Sequence, residues 1–280
     1  MKITRLSITV FAILATILLL LANISTWLNR TVYNRDVFVK TSTAIMSNSQ
    51  TSEIVAKQIS TELYSKTPIL KSIAEQPTEN LIVGILQSDF FTRVYKKFST
   101  ELHTAMMSSP SKAIAIDISA LKSTFATVAQ IVDPKALDEV KVKIPNEIVL
   151  FEQNEIPSII ESTYWLILIG PIAGITALII FAAFLIIGYP KKTKETLLIF
   201  GSSLLIGSLI FLYMITAIEP YLFSSINESL VRDLLHQVFA VFTASLSEQS
   251  SVLVISSIIM IISAFLFQYI FDRRHSKKAK

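Results

Sequence analysis

Four separated blocks of apolar residues constrain the fold of this chain more than any other feature. Each block is close to the ~20 residues that a helix needs to cross a hydrocarbon core of about 30 Å. The last three contain no Asp, Glu, Lys, Arg or His. The sequence therefore predicts four transmembrane helices, roughly at Leu6–Leu28, Tyr164–Gly188, Thr196–Ile218 and Ser251–Phe271. The composition agrees, since 16% of the residues are charged against about 25% in typical soluble domains.

The first block could instead be a cleaved signal peptide, because basic residues precede it. Its apolar stretch is longer than the usual 7–15 residues, and no A-x-A cleavage site ends it. It also runs into Trp27, a residue type that anchors helices at the membrane interface. An uncleaved anchor is the favoured interpretation.

The basic residues outside the blocks indicate an orientation. They precede the first block, fill the second connection and follow the last block, whereas the third connection is acidic. By the positive-inside rule, both termini are cytoplasmic. The net charge of +4 then reflects contact with anionic lipids rather than nucleic acid, since no nucleic-acid-binding motif accompanies it. The basic residues are Lys2, Arg5, Lys191, Lys192, Lys194, Arg273, Arg274, Lys277, Lys278 and Lys280, and the acidic ones are Glu219, Glu228, Asp233 and Glu248.

Residues 30–163 form the predicted extracytoplasmic domain. The chain has no cysteine, so no disulfide holds this domain and its own core must do so. Apolar periodicity predicts helices at Thr51–Ser65 and Asp89–Met107, and Pro68 and Pro77 are interpreted as breaks. Alternating or short apolar runs at 113–118 and 147–151, separated by a helix at 119–132, could pair as a small β ribbon.

An amphipathic stretch precedes the last block, with apolar residues recurring every four positions from Ile226 to Leu246. It predicts a helix outside the membrane that continues into the last span. Either lipid headgroups or the exterior domain must cover its apolar face, and the domain is favoured.

The predicted fold class is thus an all-α membrane protein with four transmembrane helices and a mainly helical extracytoplasmic domain with a two-stranded ribbon. The segments are 1–29 (cytoplasmic N-terminus and first span), 30–163 (exterior domain), 164–188 (second span), 189–195 (cytoplasmic basic turn), 196–218 (third span), 219–250 (exterior amphipathic helix), 251–271 (fourth span) and 272–280 (basic cytoplasmic tail).

Two patches carry a resemblance to a family. They are the run from Trp27 to Val39, in which a tryptophan, Arg-Thr-Val and an aspartate follow one another, and the run from Ser88 to His103 with its phenylalanines and histidine. In these patches the chain resembles a group of uncharacterised bacterial integral membrane proteins, frequent in actinobacteria. The resemblance implies four spans and an exterior helical domain, and it implies no activity. Tyr95 departs from it, since the group usually has tryptophan there.

No motif for catalysis, nucleotide binding or metal binding occurs, so no cofactor and no enzymatic activity are predicted. The polar residues that stand out as ligand or interaction candidates are His103, Asp117 and His236. Two of them also have a simpler interpretation: a hydrogen-bonded helix residue for His103, and a water-facing strand residue for Asp117.

Small residues four apart occur in two apolar blocks, as Gly170 with Gly174 and as Ser203 with Gly207. Such spacing is typical of closely packed membrane helices. The alternative is a helix broken at Pro171 around a binding site.

These features favour a non-enzymatic membrane protein whose exterior domain mediates protein interaction or scaffolding in the cell envelope, with an envelope protein or a second copy as partner. The alternatives are a small-ligand sensor that signals through a partner, and an oligomeric pore or carrier. The absence of charged residues in the last three apolar blocks argues against a carrier.

Overall fold

The computed structural model describes residues 4–64, 68–107, 114–117, 147–151, 159–224 and 229–278. The predicted helix at 119–132 lies outside these residues. The elements in chain order are α1 (Arg5–Trp27), a π-helical segment (Leu28–Val32), α2 (Arg35–Met46), α3 (Ser49–Tyr64), α4 (Pro68–Leu86), α5 (Asp89–Met107), β1 (Ile114–Asp117), β2 (Glu147–Phe151), α6 (Ile159–Gly188), α7 (Thr193–Phe223) and α8 (Ser229–Lys278).

The chain divides into two compact units. We call Met1–Val32, Thr163–Ser225 and Phe239–Lys280 the four-helix unit, and Tyr33–Ser162 with Ile226–Val238 the inserted unit. In the described residues, four helical stretches are long and apolar enough to cross a membrane: Arg5–Val32, Thr163–Gly188, Thr193–Leu222 and His236–Phe271. The prediction of four candidate spans is confirmed.

Helix α1 contributes most of the core of the four-helix unit. Ile8, Ala12 and Ala15 are buried, and they cluster with Ala177 of α6 and Phe200 of α7. Two alanines one turn apart leave room for the neighbouring helices. Close approach matters here because, in lipid, helices associate through packing rather than through the hydrophobic effect.

The glycines of α6 and α7 lie against this same helix. A Cβ added to Gly170 would fall on the Ser25 side chain, well inside the 3.0 Å that real Cβ atoms keep, and one at Gly174 would lie 3.2 Å from Ala22 Cβ. In α7, a Cβ at Gly207 would lie 2.5 Å from Thr16 Cγ2. Pro171 lies inside α6, which is continuous, so the helix is not broken there.

Hydroxyl and amide groups also join the helices of this unit. Asn23 Nδ2 donates to Ser250 Oγ at 2.8 Å, and Gln249 Nε2 donates to Asn23 Oδ1 at 2.8 Å. Farther along α1, Trp27 Nε1 donates to Ser245 Oγ at 2.9 Å. Interhelical hydrogen bonds of this kind contribute on average about 0.6 kcal/mol each in membranes, so they specify the register more than they add stability.

The contacts give the four helices alternating directions. Residues 23 and 27 of α1 meet residues 250 and 245 of α8, and Ser25 and Ala22 meet Gly170 and Gly174, so α1 is antiparallel to both α6 and α8. Arg5 and Thr16 meet Glu195 and Ser203, so α1 and α7 are parallel. The start of α1, the 189–192 turn and the end of α8 therefore lie at one end of the unit.

In the inserted unit, α3, α4 and α5 share a core of Ala56, Ile82, Leu86 and Phe91. The predicted helix at Asp89–Met107 is confirmed as α5. Its start is capped by Ser88, whose Oγ accepts a hydrogen bond from Phe91 N at 3.2 Å. Strands β1 and β2 pair antiparallel, with Asp117 opposite Glu147 and a register shift between Ile114 and Ala115.

Two sequence-based expectations are wrong. Pro77 does not end a helix but lies inside α4, because a proline removes a single backbone hydrogen bond and packing of Ile82 and Leu86 offsets its cost. Residues 219–223 belong to α7 rather than to a separate amphipathic helix, and Pro220 is tolerated within α7. From Ser229 onward, the amphipathic stretch and the last span form one helix, α8.

Candidate functional site

A groove lies between α2 and α5 on the surface of the inserted unit, with a volume of about 730 Å³. We call it the α2–α5 groove. Its lining comes from one stripe of each helix, with spacings near four residues. These residues are Arg35, Asp36, Val39, Lys40, Thr43, Ala44 and Ser47 along α2, and Thr92, Lys96 and Thr100 along α5.

The opposite faces of the two helices hold the groove in place. Phe38, at the start of α2, packs on His103, at the end of α5, with ring centroids 5.2 Å apart. Met46, at the end of α2, contacts the cluster that contains Phe91, near the start of α5. The two helices are therefore antiparallel. Asn34 fixes the start of α2, because its Oδ1 accepts a hydrogen bond from Val37 N at 3.1 Å.

Charge distinguishes this groove. Arg35, Lys40 and Lys96 give three positive charges, and Asp36 gives one negative charge, so the lining carries a net charge of +2. Arg35 Nε lies 3.8 Å from Asp36 Oδ1, and both side chains are mostly exposed. No ion pair joins Lys40 or Lys96 to any residue that the structure describes. The two ammonium groups are therefore available to an anionic partner.

The hydroxyl groups of the threonines in the groove donate their hydrogen bonds to backbone carbonyl oxygens one turn earlier in the chain. Thr43 Oγ1 donates to Val39 O at 2.6 Å, Thr92 Oγ1 to Ser88 O at 3.0 Å, and Thr100 Oγ1 to Lys96 O at 2.8 Å. Their oxygens can still accept hydrogen bonds. Because the side chains are short, they leave space between the cations, and recognition of an anion depends on Arg35, Lys40 and Lys96.

Beneath the groove, α5 carries a row of aromatic rings. Tyr95 stacks on Phe91 with centroids 6.0 Å apart and lies 5.6 Å from Phe98. Burial raises the pKa of Tyr95, and the nearby Ser99 hydroxyl opposes this shift in part. The Ser99 hydroxyl makes no hydrogen bond of ordinary geometry. Tyr95 therefore remains a neutral core residue at physiological pH.

The two histidines that the sequence suggested do not line the groove. His103 is buried, with 5% of its surface exposed, and lies against the Phe38 ring. His236 is a half-buried residue of α8, in the segment that belongs to the inserted unit. Asp117 ends β1, and its side chain lies outside the described residues.

No three His, Asp or Glu side chains converge as metal ligands within the part of the chain that the structure describes. The described lining of the α2–α5 groove therefore offers three cationic side chains and one carboxylate.

Sequence reasoning missed the groove residues. The available signal was the spacing of 92, 96 and 100 on α5, and of 36, 40 and 43 or 44 on α2, which places small and cationic side chains on one stripe of each helix. That the two stripes face each other depends on the packing of Phe38 on His103 and of Met46 on the cluster that contains Phe91. This packing connects positions far apart in sequence.

No protein-family model, no curated protein and no solved structure matches the chain.

Proposed function

We propose that the chain is a multi-pass protein of the bacterial plasma membrane whose inserted unit lies outside the cytoplasm and mediates protein interaction in the cell envelope. The α2–α5 groove carries the proposal: its described lining has a net charge of +2, and Lys40 and Lys96 form no ion pair with a residue that the structure describes. The partner it fits is an acidic segment of another polypeptide. In this assignment the four-helix unit serves as the membrane anchor.

The charge at one end of the four-helix unit supports this orientation. Arg5, Lys192 and Lys194 lie at the end where α1 and α7 begin, with Glu195 as the acidic partner of the first two. A basic end of a helical bundle is typical of the cytoplasmic side. The chain leaves the four-helix unit after α1 and returns to it at α6, at the end of these two helices opposite the basic one.

Labelling of introduced cysteines tests the orientation, because the chain has no cysteine of its own. We expect Gln76→Cys in α4 to react with a membrane-impermeant maleimide in intact cells, and Lys191→Cys to react only after lysis. Both positions are exposed, so accessibility within the protein does not limit either reaction. The reverse pattern would place the inserted unit in the cytoplasm and contradict the proposal.

Site-specific crosslinking tests the groove. A photoreactive p-benzoylphenylalanine at Ala44, an exposed groove residue, should give a discrete adduct with an acidic protein in intact cells. Lys96→Glu should reduce this adduct about tenfold, because it places a like charge against the partner. The control is Lys97→Glu, which makes the same change on the adjacent residue of α5, outside the groove lining.

Equal adduct yields for Lys96→Glu and Lys97→Glu would exclude the groove as the interface. The second candidate function, a small-ligand sensor, is supported by the groove volume, which lies within the ~300–1,000 Å³ of ligand pockets. In that case we expect no protein adduct, and small carboxylates or phosphates should raise the thermal stability of wild type and of Lys97→Glu but not of Lys96→Glu.

A further inference from the structure

A second groove lies between α1 and α7, entirely within the four-helix unit. Its volume is about 640 Å³, and it extends from Arg5 to Leu20 on α1 and from Leu198 to Met214 on α7. At about 1.5 Å per residue, 15 steps along α1 make it about 22 Å long. That length exceeds the ~15 Å of one hydrocarbon leaflet and suits an extended acyl chain. We call it the α1–α7 groove.

Small residues make this groove deep. Thr16, Ser203 and Gly207 line it where larger side chains would fill it. The hydroxyls of Thr16 and Ser203 are hydrogen-bonded to each other at 3.0 Å, so this polar pair does not require water. The rim is apolar and open, since Ile13 and Ile206 are more than half exposed. At membrane depth such a surface contacts lipid tails.

One end of the groove is cationic. The Arg5 side chain is 81% exposed, and its Nε lies 3.5 Å from Glu195 Oε1. Glu195 also accepts a hydrogen bond from Lys192 Nζ at 2.6 Å, so two cations share one carboxylate. Lys191 and Lys194 also lie at this end of the four-helix unit, where Lys194 contacts Gln268 and the Phe265 ring of α8. Among the described side chains, Arg5, Lys191, Lys192, Lys194 and Glu195 together carry a net charge of +3. This surface is complementary to a phosphate group.

We propose that the α1–α7 groove binds one acyl chain of an anionic phospholipid and that Arg5 contacts the phosphate of the same molecule. The apolar lining takes the tail, and the position of Arg5 at the mouth selects the negatively charged headgroup. This inference does not depend on the partner of the α2–α5 groove. It gives the four-helix unit a lipid site of its own.

Native mass spectrometry of the full-length chain in mild detergent tests the proposal. We expect dioleoyl-phosphatidylglycerol to bind about fivefold more tightly than dioleoyl-phosphatidylcholine, as one arginine near an anionic headgroup implies. Arg5→Gln should bring this ratio close to one, and Arg5→Lys should restore most of it. Equal binding of the two lipids to the wild-type chain would overturn the role of Arg5.

The apolar part of the α1–α7 groove, which takes the acyl chain, is tested by a separate variant. Ser202→Phe places a large side chain in the groove from an exposed position and should reduce bound phosphatidylglycerol several-fold. Ser251→Phe makes the same change at an exposed position of α8 and should leave binding unchanged. Equal lipid retention by the two variants would overturn the proposal. So would a dimer of the wild-type chain that Ser202→Phe dissociates, because the groove would then be a contact between two copies.

Discussion

Replacing Gly170 by alanine should destabilise the four-helix unit by about 1–3 kcal/mol, the usual cost of overpacking. The sign of this change in stability is informative, because a glycine-to-alanine substitution at an open helix position stabilises the helix by up to about 1 kcal/mol. The new Cβ would overlap the Cβ and Oγ of Ser25. Both belong to a short side chain close to the α1 backbone, so α1 and α6 must move apart. Unfolding of the full-length chain in mixed micelles would measure the loss.

Two other glycines serve as matched controls. At Gly174 the added Cβ would lie 3.2 Å from Ala22 Cβ, a distance that a small shift relieves, so Gly174→Ala should be nearly neutral. At Gly84 nothing lies within 4 Å, so Gly84→Ala should stabilise α4. If Gly170→Ala were as stable as wild type, the close packing of α1 on α6 would be refuted.

Replacing Phe91 by alanine should destabilise the inserted unit by about 3–5 kcal/mol, the usual cost of removing a buried phenylalanine. Phe91 is 8% exposed, packs with Ala56, Ile82 and Leu86, and stacks on Tyr95. Its removal leaves a cavity at the point where α3, α4 and α5 meet. Hydrogen–deuterium exchange in the full-length chain should therefore show faster exchange in all three helices.

Phe90 provides the control, since it is the adjacent residue and is 40% exposed. Phe90→Ala should cost less than about 1 kcal/mol, as surface substitutions usually do. Exchange in α1 and α6 reports on the four-helix unit and should be similar in both variants. Equal effects of Phe90→Ala and Phe91→Ala on α3–α5 would mean that Phe91 is not part of the core.

Local patterns predicted the helices well where apolar periodicity was strong. The prediction for α5 is correct at both ends, because Asp89 starts its first turn and its apolar residues recur at helical spacing. Proline was the weak point. Pro77 was interpreted as a break but lies inside α4, where neighbouring turns and packing offset the loss of one hydrogen bond. Such compensation involves contacts that a local reading of the chain does not contain.

The candidate site was predicted less well than the helices. His103 stood out as a rare polar residue, yet the structure buries it against Phe38. Lys40 and Lys96 were not singled out, because the four-residue spacing that places them on helical stripes does not by itself mark a site. They become a site only when α2 and α5 pack side by side.

The sequence by itself determines that four segments are long, apolar helices, because backbone groups in lipid must satisfy their hydrogen bonds within their own segment. It also determines that the two termini and the turn at 189–195 are basic, since the positions of lysine and arginine are read directly from the sequence. The folded structure alone shows that Gly170 meets Ser25, that Asn23 meets Gln249 and Ser250, and that two grooves form. Those contacts join residues far apart in sequence, and they depend on the shapes of two surfaces, which no single segment encodes.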